Sequence, residues 1–245
     1  VLWGHFEHAL FMSATLGDPT VLATKLGIPI EAVTYLDVPS IFPIVNRPVF
    51  YWPLVKVSRN CTEGDWDRLA QGISFLASQA GLQDKKAIVH TGSFAIAERL
   101  YARLVKTSDR YILHSRASMT IDQAIMVFEN SKYPIILLTP SATHGLDLPY
   151  VIGWQVIAKV PFGDLGNTVV RARREYKLDG KPFGRRAYDA DAMNTVVQAI
   201  GRGVRAPDDR CVTYVLDQNW WPLYKRAYTP ESFQQAVRWL KVGAT

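Results

Sequence analysis

The sequence predicts an α/β domain in which a mainly parallel sheet is flanked by helices. Apolar runs rich in Val, Ile, Leu and Phe alternate along the chain with amphipathic stretches of helical length. This alternation is typical of β-α-β units, whose parallel strands are buried on both faces. The chain has 245 residues, of which 48% are hydrophobic, and this is enough for one compact domain with a large core.

The elements follow from this alternation in chain order. The first strand is expected at HALFMSA (8–14) and the first helix at PTVLATKLG (19–27), starting near Asp18. The later strands are expected at KAIVHT (86–91), RYILHS (110–115), PIILLT (134–139) and WQVIAKV (154–160), and the later helices at FAIAERLYARLVK (94–106) and IDQAIMVFENS (121–131). Because ligands of such sheets bind outside the carboxyl ends of the strands, polar residues at those ends are where a site is expected.

Two segments fall outside this alternation. Residues 37–56 are rich in proline and are predicted to form an extended connector. Residues 230–241, PESFQQAVRWLK, are predicted to form the last helix. The sequence also opens without an initiator methionine and already inside an apolar run, so we expect it to be a piece of a longer chain.

Composition limits the partners that the chain can have. The formal charge of +6 and the pI of about 9.3 are compatible with an anionic partner without requiring one. The two cysteines are far apart and the histidines form no HExxH-like pair, so no metal site is predicted. No apolar run reaches the roughly 18 residues of a membrane span, and we expect an intracellular protein, cytoplasmic or associated with the nucleoid.

The stretch QAIGRGVRAPDD (198–209) is the first candidate site. On a helix Gln198, Arg202 and Arg205 would share one face, because they follow one another at i, i+4 and i+7. Arginine suits a phosphoryl group because its planar fork stays charged and can bind two oxygens. The alternatives are a solvated helix face, and a helix that ends early at Gly203.

Three further motifs place hydroxyl groups, glycines or carboxylates after a predicted strand. They are FMSATLGDP with Ser13 and Thr15, AIVHTGSFAIAERL with Thr91 and Ser93, and PSATHGLDLPYV with Thr143, Gly145 and Asp147. Such groups can contact phosphates. A plain turn that caps the next helix explains the first and third motifs as well.

The order of the motifs resembles motifs III to VI of superfamily 2 helicases. Ser-Ala-Thr, Thr-Gly-Ser, Gly-Leu-Asp-Leu-Pro and Gln-x-x-Gly-Arg-x-x-Arg follow one another in this sequence. THGLDLP, IAKVPFGDLGNTVVRARREY and AMNTVVQAIGRGVRAPDDRCVTYVLD are similar to the second motor domain of the DinG/XPD branch. The resemblance covers roughly residues 8–220 and implies a RecA-like domain, of the P-loop NTPase type, from an ATP-dependent DNA helicase that moves 5′ to 3′.

The resemblance also implies roles for individual residues. Gln198, Arg202 and Arg205 would approach the γ-phosphate of ATP, with Arg205 as the arginine finger. The residues that would bind ATP or couple it to movement are Ser13, Ala14, Thr15, Gly145, Asp147 and Gly201. The residues that would contact the backbone of single-stranded DNA are Thr91, Ser93 and Thr143, together with Arg171 and Arg174 of a basic stretch that is equally compatible with a solvated helix and loop.

The sequence departs from the family in two respects. It keeps Asp217 after the last motif but lacks the arginine that usually follows. It also contains no G-x-x-x-x-G-K-[ST] loop and no Asp-Glu-Ala-His-like box. The groups that hold the phosphates and Mg²⁺ are therefore expected in a first RecA-like domain of the same protein, and the fragment alone is expected to be inactive. A nucleic-acid-binding or partner-docking module without motor chemistry is the alternative.

Overall fold

The computed structural model describes residue 5, residues 7–115, residue 117, residues 119–140 and residues 148–240. Within these residues one sheet of seven parallel strands runs in the order β3-β4-β2-β5-β6-β1-β7. The strands are β1 (Val49–Val55), β2 (Ala87–His90), β3 (Tyr111–Leu113), β4 (Ile136–Thr139), β5 (Trp154–Ile157), β6 (Val212–Asp217) and β7 (Val237–Trp239). The predicted α/β fold with a mainly parallel sheet is confirmed.

Helices cover both faces of this sheet. They are α1 (Pro19–Leu26), α2 (Glu63–Ser78), α3 (Phe94–Leu104), α4 (Ile121–Asn130), α5 (Thr168–Glu175), α6 (Phe183–Gly201), α7 (Trp220–Arg226) and α8 (Glu231–Gln234). Helices α2 and α3 pack on one face, around Leu69, Ile73 and Leu100. Helices α4, α6 and α7 pack on the other, so the strands are buried on both sides as the sequence predicts.

Local sequence explains where several helices begin. Asp18 caps α1 by accepting hydrogen bonds from the amides of Thr20 and Val21. Thr62 and Thr120 each form a capping box, with Asp65 and Gln123 as the reciprocal partners. The predicted start of α1 near Asp18 is therefore confirmed, and the start of α2, for which we made no prediction, carries the same kind of signal.

The predicted first strand is wrong. Residues 8–14 have no regular structure, and Leu10 and Met12 are more than 80% exposed. The chain reaches α6 directly after this segment, where Asn194 and Gln198 bind Thr15. Apolar composition indicated a buried strand here, but the strand positions on both sides of β1 are occupied by β6 and β7.

The expectations for the proline-rich segment and for the last helix are also wrong in part. Residues 49–55 form β1, which lies between β6 and the edge strand β7, and the pairing with β6 shifts register between Tyr51 and Val55. This irregularity accommodates Pro53, which cannot donate a ladder hydrogen bond. The last helix stops at Gln234, and Val237–Trp239 then pairs with β1 as an edge strand, because valine and tryptophan suit a half-buried strand.

None of the helices in the described part of the chain is long and apolar enough to cross a membrane.

Candidate functional site

A cleft of about 790 Å³ opens where α6 ends and β1 begins. Gln198, Arg202 and Arg205 all line it, and so do Ser13, Ala14, Thr15 and Gly201. Its opposite walls come from the irregular segment 35–42 and from α8 with its N-cap, Pro230. The motif with two arginines and the Ser-Ala-Thr motif, which are far apart in the sequence, thus line one cleft.

The end of α6 determines where the two arginines lie. The helix stops at Gly201, and Arg202 is its C-cap, so the three polar residues do not share one helix face as predicted. The alternative of an early helix end is the correct one. The reason lies at Gly203, where a Cβ atom would be 2.5 Å from Cys211 Sγ and 2.8 Å from Gln155 Nε2. The backbone must leave the helix here to pass over strands β5 and β6.

Thr15 and Gln198 join the two motifs directly. Gln198 Nε2 donates to Thr15 Oγ1 at 2.8 Å, and Asn194 Nδ2, one turn earlier on α6, donates to the Thr15 carbonyl at 3.1 Å. Gly17 follows with φ +75°, and a Cβ there would also contact Asn194. Any other residue at this position would be strained, because side chains disfavour this backbone conformation.

Farther from the cleft, charged pairs hold the same segment on α6. Asp18 accepts two hydrogen bonds from the Arg186 guanidinium, at 2.7 and 3.0 Å, while the same carboxylate caps α1. Lys25 pairs with Asp191 at 2.6 Å. The segment that carries Ser13 and Thr15 is thus fixed along α6 by side chains of that helix.

Arg205 is positioned by a buried carboxylate. Its backbone amide donates to Asp209 Oδ2 at 3.0 Å, and Asp209 also accepts from the amides of Tyr150 and Arg210. Asp209 is 3% exposed. The PDD sequence after the arginines therefore builds the turn that carries Arg205.

Arg47 is a residue of this cleft that the sequence analysis missed. Its Nε donates to the Phe42 carbonyl at 3.0 Å, and within the described residues its guanidinium makes no other hydrogen bond. Burial lowers the pKa of Arg47 from its usual value. The neighbouring Asn46 bonds the Pro207 carbonyl and accepts from the Cys211 amide, tying this segment to the arginine-bearing loop. The one feature of the sequence that could have indicated this role is an arginine within a segment predicted to be a connector.

The charge in the cleft favours an anion. Arg47, Arg202 and Arg205 line it, and among the described lining residues Asp37 is the acidic one. Guanidinium groups bind phosphate oxygens in a bidentate manner, and they do so more strongly where water is partly excluded. The described residues contain no group of three or more His, Cys, Asp or Glu side chains that could hold a metal ion.

The turn after β2 lies at the carboxyl edge of the sheet. Thr91 is fully buried, its amide donates to the Thr139 carbonyl, and its hydroxyl donates to the Ser93 carbonyl. This hydroxyl thus supports the turn from inside, and it does not face outward as a contact to DNA would require. Ser93 is half-buried and caps α3 by accepting from the Ile96 amide. Gly92, Ser93 and the first turn of α3 present atoms to solvent here.

The two predicted arginines of the basic stretch lie on α5 in different surroundings. Arg171 is exposed. Arg174 is half-buried and lies over the Tyr188 ring, 5.5 Å from its centroid, and Tyr188 in turn stacks on Phe162. Such a stack fixes the direction of the Arg174 side chain.

Asp217 ends β6 at the same edge and is fully buried. Its carboxylate accepts from the amides of Val57, Val160 and Asn219 at 2.9 to 3.1 Å and from Asn219 Nδ2 at 2.9 Å. Burial nevertheless raises the pKa of Asp217, against the effect of these donors. The residue that remains from the family's motif is therefore a structural clamp between three loops. Thr143, Gly145 and Asp147 lie outside the described residues.

The comparisons with known proteins agree with this fold. A family model described as the helicase C-terminal domain matches residues 77–236. None of the curated proteins compared with the sequence gives a match.

Solved helicase structures share the architecture at low sequence identity. An XPD helicase superposes with a TM-score of 0.65 at 19% identity, covering 94% of this chain and 42% of that one. S. tokodaii Xpd4 gives 0.58 at 16% identity, with 79% and 38% covered. S. cerevisiae Dbp5, bound to RNA and ADP BeF3, gives 0.54 at 15% identity, with 93% and 50% covered.

This chain spans half or less of each of those structures. At these identities the likeness shows the fold, and the family match covers more than half of the chain. The sheet, the joined motifs beside α6 and the family match lead to one conclusion: this chain belongs to the helicase C-terminal domain family and has the RecA-like fold found in XPD helicases.

Proposed function

We propose that this domain is the second motor domain of an ATP-dependent DNA helicase of the DinG/XPD type. In the whole protein, ATP and Mg²⁺ are held mainly by a first RecA-like domain, and this domain closes on them. The observation that carries the proposal is the cleft in which Gln198, Arg202 and Arg205 meet Thr15.

On the nucleotide side, three residues have separate tasks. Arg205, on the turn built by Asp209, is the finger that stabilises charge on the γ-phosphate as it is transferred. Arg202 holds phosphate oxygens from the end of α6. Gln198 bonds Thr15, and it passes changes at the nucleotide to the segment that precedes α1. Mg²⁺, held by the first domain, neutralises the phosphates.

On the DNA side, the proposal uses the carboxyl edge of the sheet. Ser93, the first turn of α3 and the exposed Arg171 supply donors and charge for phosphates of single-stranded DNA, and Arg174 adds to the positive potential there. Contacts to the backbone hold any sequence, as a translocase requires. Travel from 5′ to 3′ and an intracellular location, in the cytoplasm or at the nucleoid, belong to the same proposal.

A second candidate is a nucleic-acid-binding or partner-docking module that has kept the fold without motor chemistry. It would be favoured if the full-length protein carried no phosphate loop outside these 245 residues. The two candidates differ in whether a first motor domain accompanies this one.

The deciding experiment compares DNA-stimulated ATP hydrolysis by the full-length protein and by the isolated 245-residue chain. Hydrolysis by the full-length protein alone is the expected result. The absence of hydrolysis from both proteins, with binding of single-stranded DNA retained, would replace the motor proposal with the second candidate.

A further inference from the structure

Gln155, the second residue of β5, lies in a buried polar network that neither the motifs nor the family match singles out. It is 1% exposed. Its Nε2 donates to the Ile200 carbonyl at 2.9 Å and to Thr213 Oγ1 at 3.0 Å, and its Oε1 lies 3.0 Å from His90 Nε2. The network thus joins β2, β5 and β6 to the last turn of α6.

The orientation of the Gln155 amide follows from its partners. A carbonyl oxygen can only accept, so the group that faces Ile200 must be the NH₂. The amide oxygen then faces His90, and His90 Nε2 must carry the proton that it donates. Burial lowers the pKa of His90 to about 4, so the ring stays neutral and keeps this single arrangement at physiological pH.

The position of Ile200 gives the network its significance. The Ile200 carbonyl belongs to the last turn of α6, where it accepts from the Gly203 amide at 3.1 Å as well as from Gln155, and Arg202 follows two residues later. Gly203 then passes so close to Gln155 Nε2 that a Cβ atom would be 2.8 Å away. Gln155 therefore touches the backbone on both sides of Arg202, just before the segment that carries Arg205.

We propose that Gln155 is a positioning residue: it fixes the path of the chain as it leaves α6 and thereby aims Arg202 and Arg205 into the cleft. His90 holds the Gln155 amide from the carboxyl end of β2, next to the turn of Thr91 and Ser93. The network accordingly connects the proposed DNA edge with the arginines. This inference rests on the proposed function, because it requires that the arginines act on ATP.

The test is a double-mutant cycle on ATP hydrolysis by the full-length protein in the presence of single-stranded DNA. Gln155→Met keeps the side-chain length and removes all three hydrogen bonds. We expect kcat to fall at least tenfold with an unchanged KM for ATP. In an Arg205→Ala background we expect a clearly smaller fall, because Arg202 is then the one arginine of the motif left to be misplaced.

Each other outcome has a definite meaning. An additional fall of similar size in the Arg205→Ala background would show that Gln155 acts through general stability, and wild-type kcat in Gln155→Met would also overturn the inference.

If Arg205→Ala itself leaves turnover unchanged, the proposed function fails first. Should Gln155→Met not fold, Thr213→Val removes one acceptor of the Gln155 amide at nearly constant volume, and its effect on kcat should likewise be smaller in the Arg205→Ala background. The matched control is Gln71→Met, on α2 and away from the cleft.

Discussion

The cleft at the end of α6 and the carboxyl edge of the sheet use their polar residues in opposite ways. At the carboxyl edge, Thr91 and Asp217 are buried and their side chains are committed to hydrogen bonds that hold turns together. At the cleft, half-buried arginines line open volume, and fixed carboxylates and amides position the backbone that carries them. The comparison teaches that a polar residue at a strand end in this domain is more often part of the scaffold than part of a site.

The largest expected effect comes from removing the proposed finger. Arg205→Ala in the full-length protein should lower the turnover of DNA-stimulated ATP hydrolysis about a thousandfold or more, while the affinity for single-stranded DNA stays unchanged. Steady-state hydrolysis and a DNA titration measure the two quantities. Arg210→Ala, an exposed arginine five residues along the chain and outside the cleft lining, is the matched control. Normal turnover in Arg205→Ala would contradict the finger role.

The next effect is on stability at the carboxyl edge. Asp217→Ala should lower the free energy of unfolding by about 3 kcal/mol or more, because buried donors left without a partner cost about 1 to 3 kcal/mol each. Three backbone amides would lose their acceptor. Denaturant unfolding measures the change. Asp217→Asn, which keeps one acceptor oxygen, should lose less. A loss under about 1 kcal/mol would argue against the clamp.

His90, between the two regions, should make stability depend on pH. Its pKa is lowered to about 4 in the folded protein by burial, and its described hydrogen-bond partner, Gln155, is neutral. Above the unfolded pKa of about 6.5, the neutral ring contributes its full share to the free energy of unfolding. This contribution, about 3 kcal/mol, is lost as the pH falls from about 6.5 through 4. Unfolding of the wild type and of His90→Gln should therefore differ in pH dependence between these values. Parallel profiles would contradict this expectation.

The smallest effect tests whether the carboxyl edge binds nucleic acid at all. Arg171→Ala should reduce the slope of log affinity for single-stranded DNA against log salt by about 0.7, as expected for the loss of one phosphate contact. Arg238→Ala, an exposed arginine on the edge strand β7, should leave the slope unchanged. Equal slopes for both variants and the wild type would remove Arg171 from the DNA surface.

Much of the fold could be predicted because the signals were local. The runs at β2, β4 and β5 are mostly apolar and buried along their whole length, as expected for strands covered on both faces, and the strand-to-helix alternation follows directly. In the segments that were wrongly assigned, the local sequence signal was misleading. Residues 8–14 are as apolar as a strand but do not pair with any strand of the sheet. Pro53 argued against a strand at residues 49–55, because the register shift that accommodates this proline arises only in the pairing with β6.

The sequence by itself determined the chemistry available to this domain: an amide and two arginines in one short motif, a Ser-Ala-Thr segment far from it in the chain, and no phosphate loop. Only the tertiary structure decided that Thr15 bonds Gln198, that α6 stops at Gly201, and that Arg47 lines the same cleft. The physical reason is that these relations depend on close approach between distant segments. Gly203 lies against Gln155 and Cys211, and no periodicity within one helix encodes that contact.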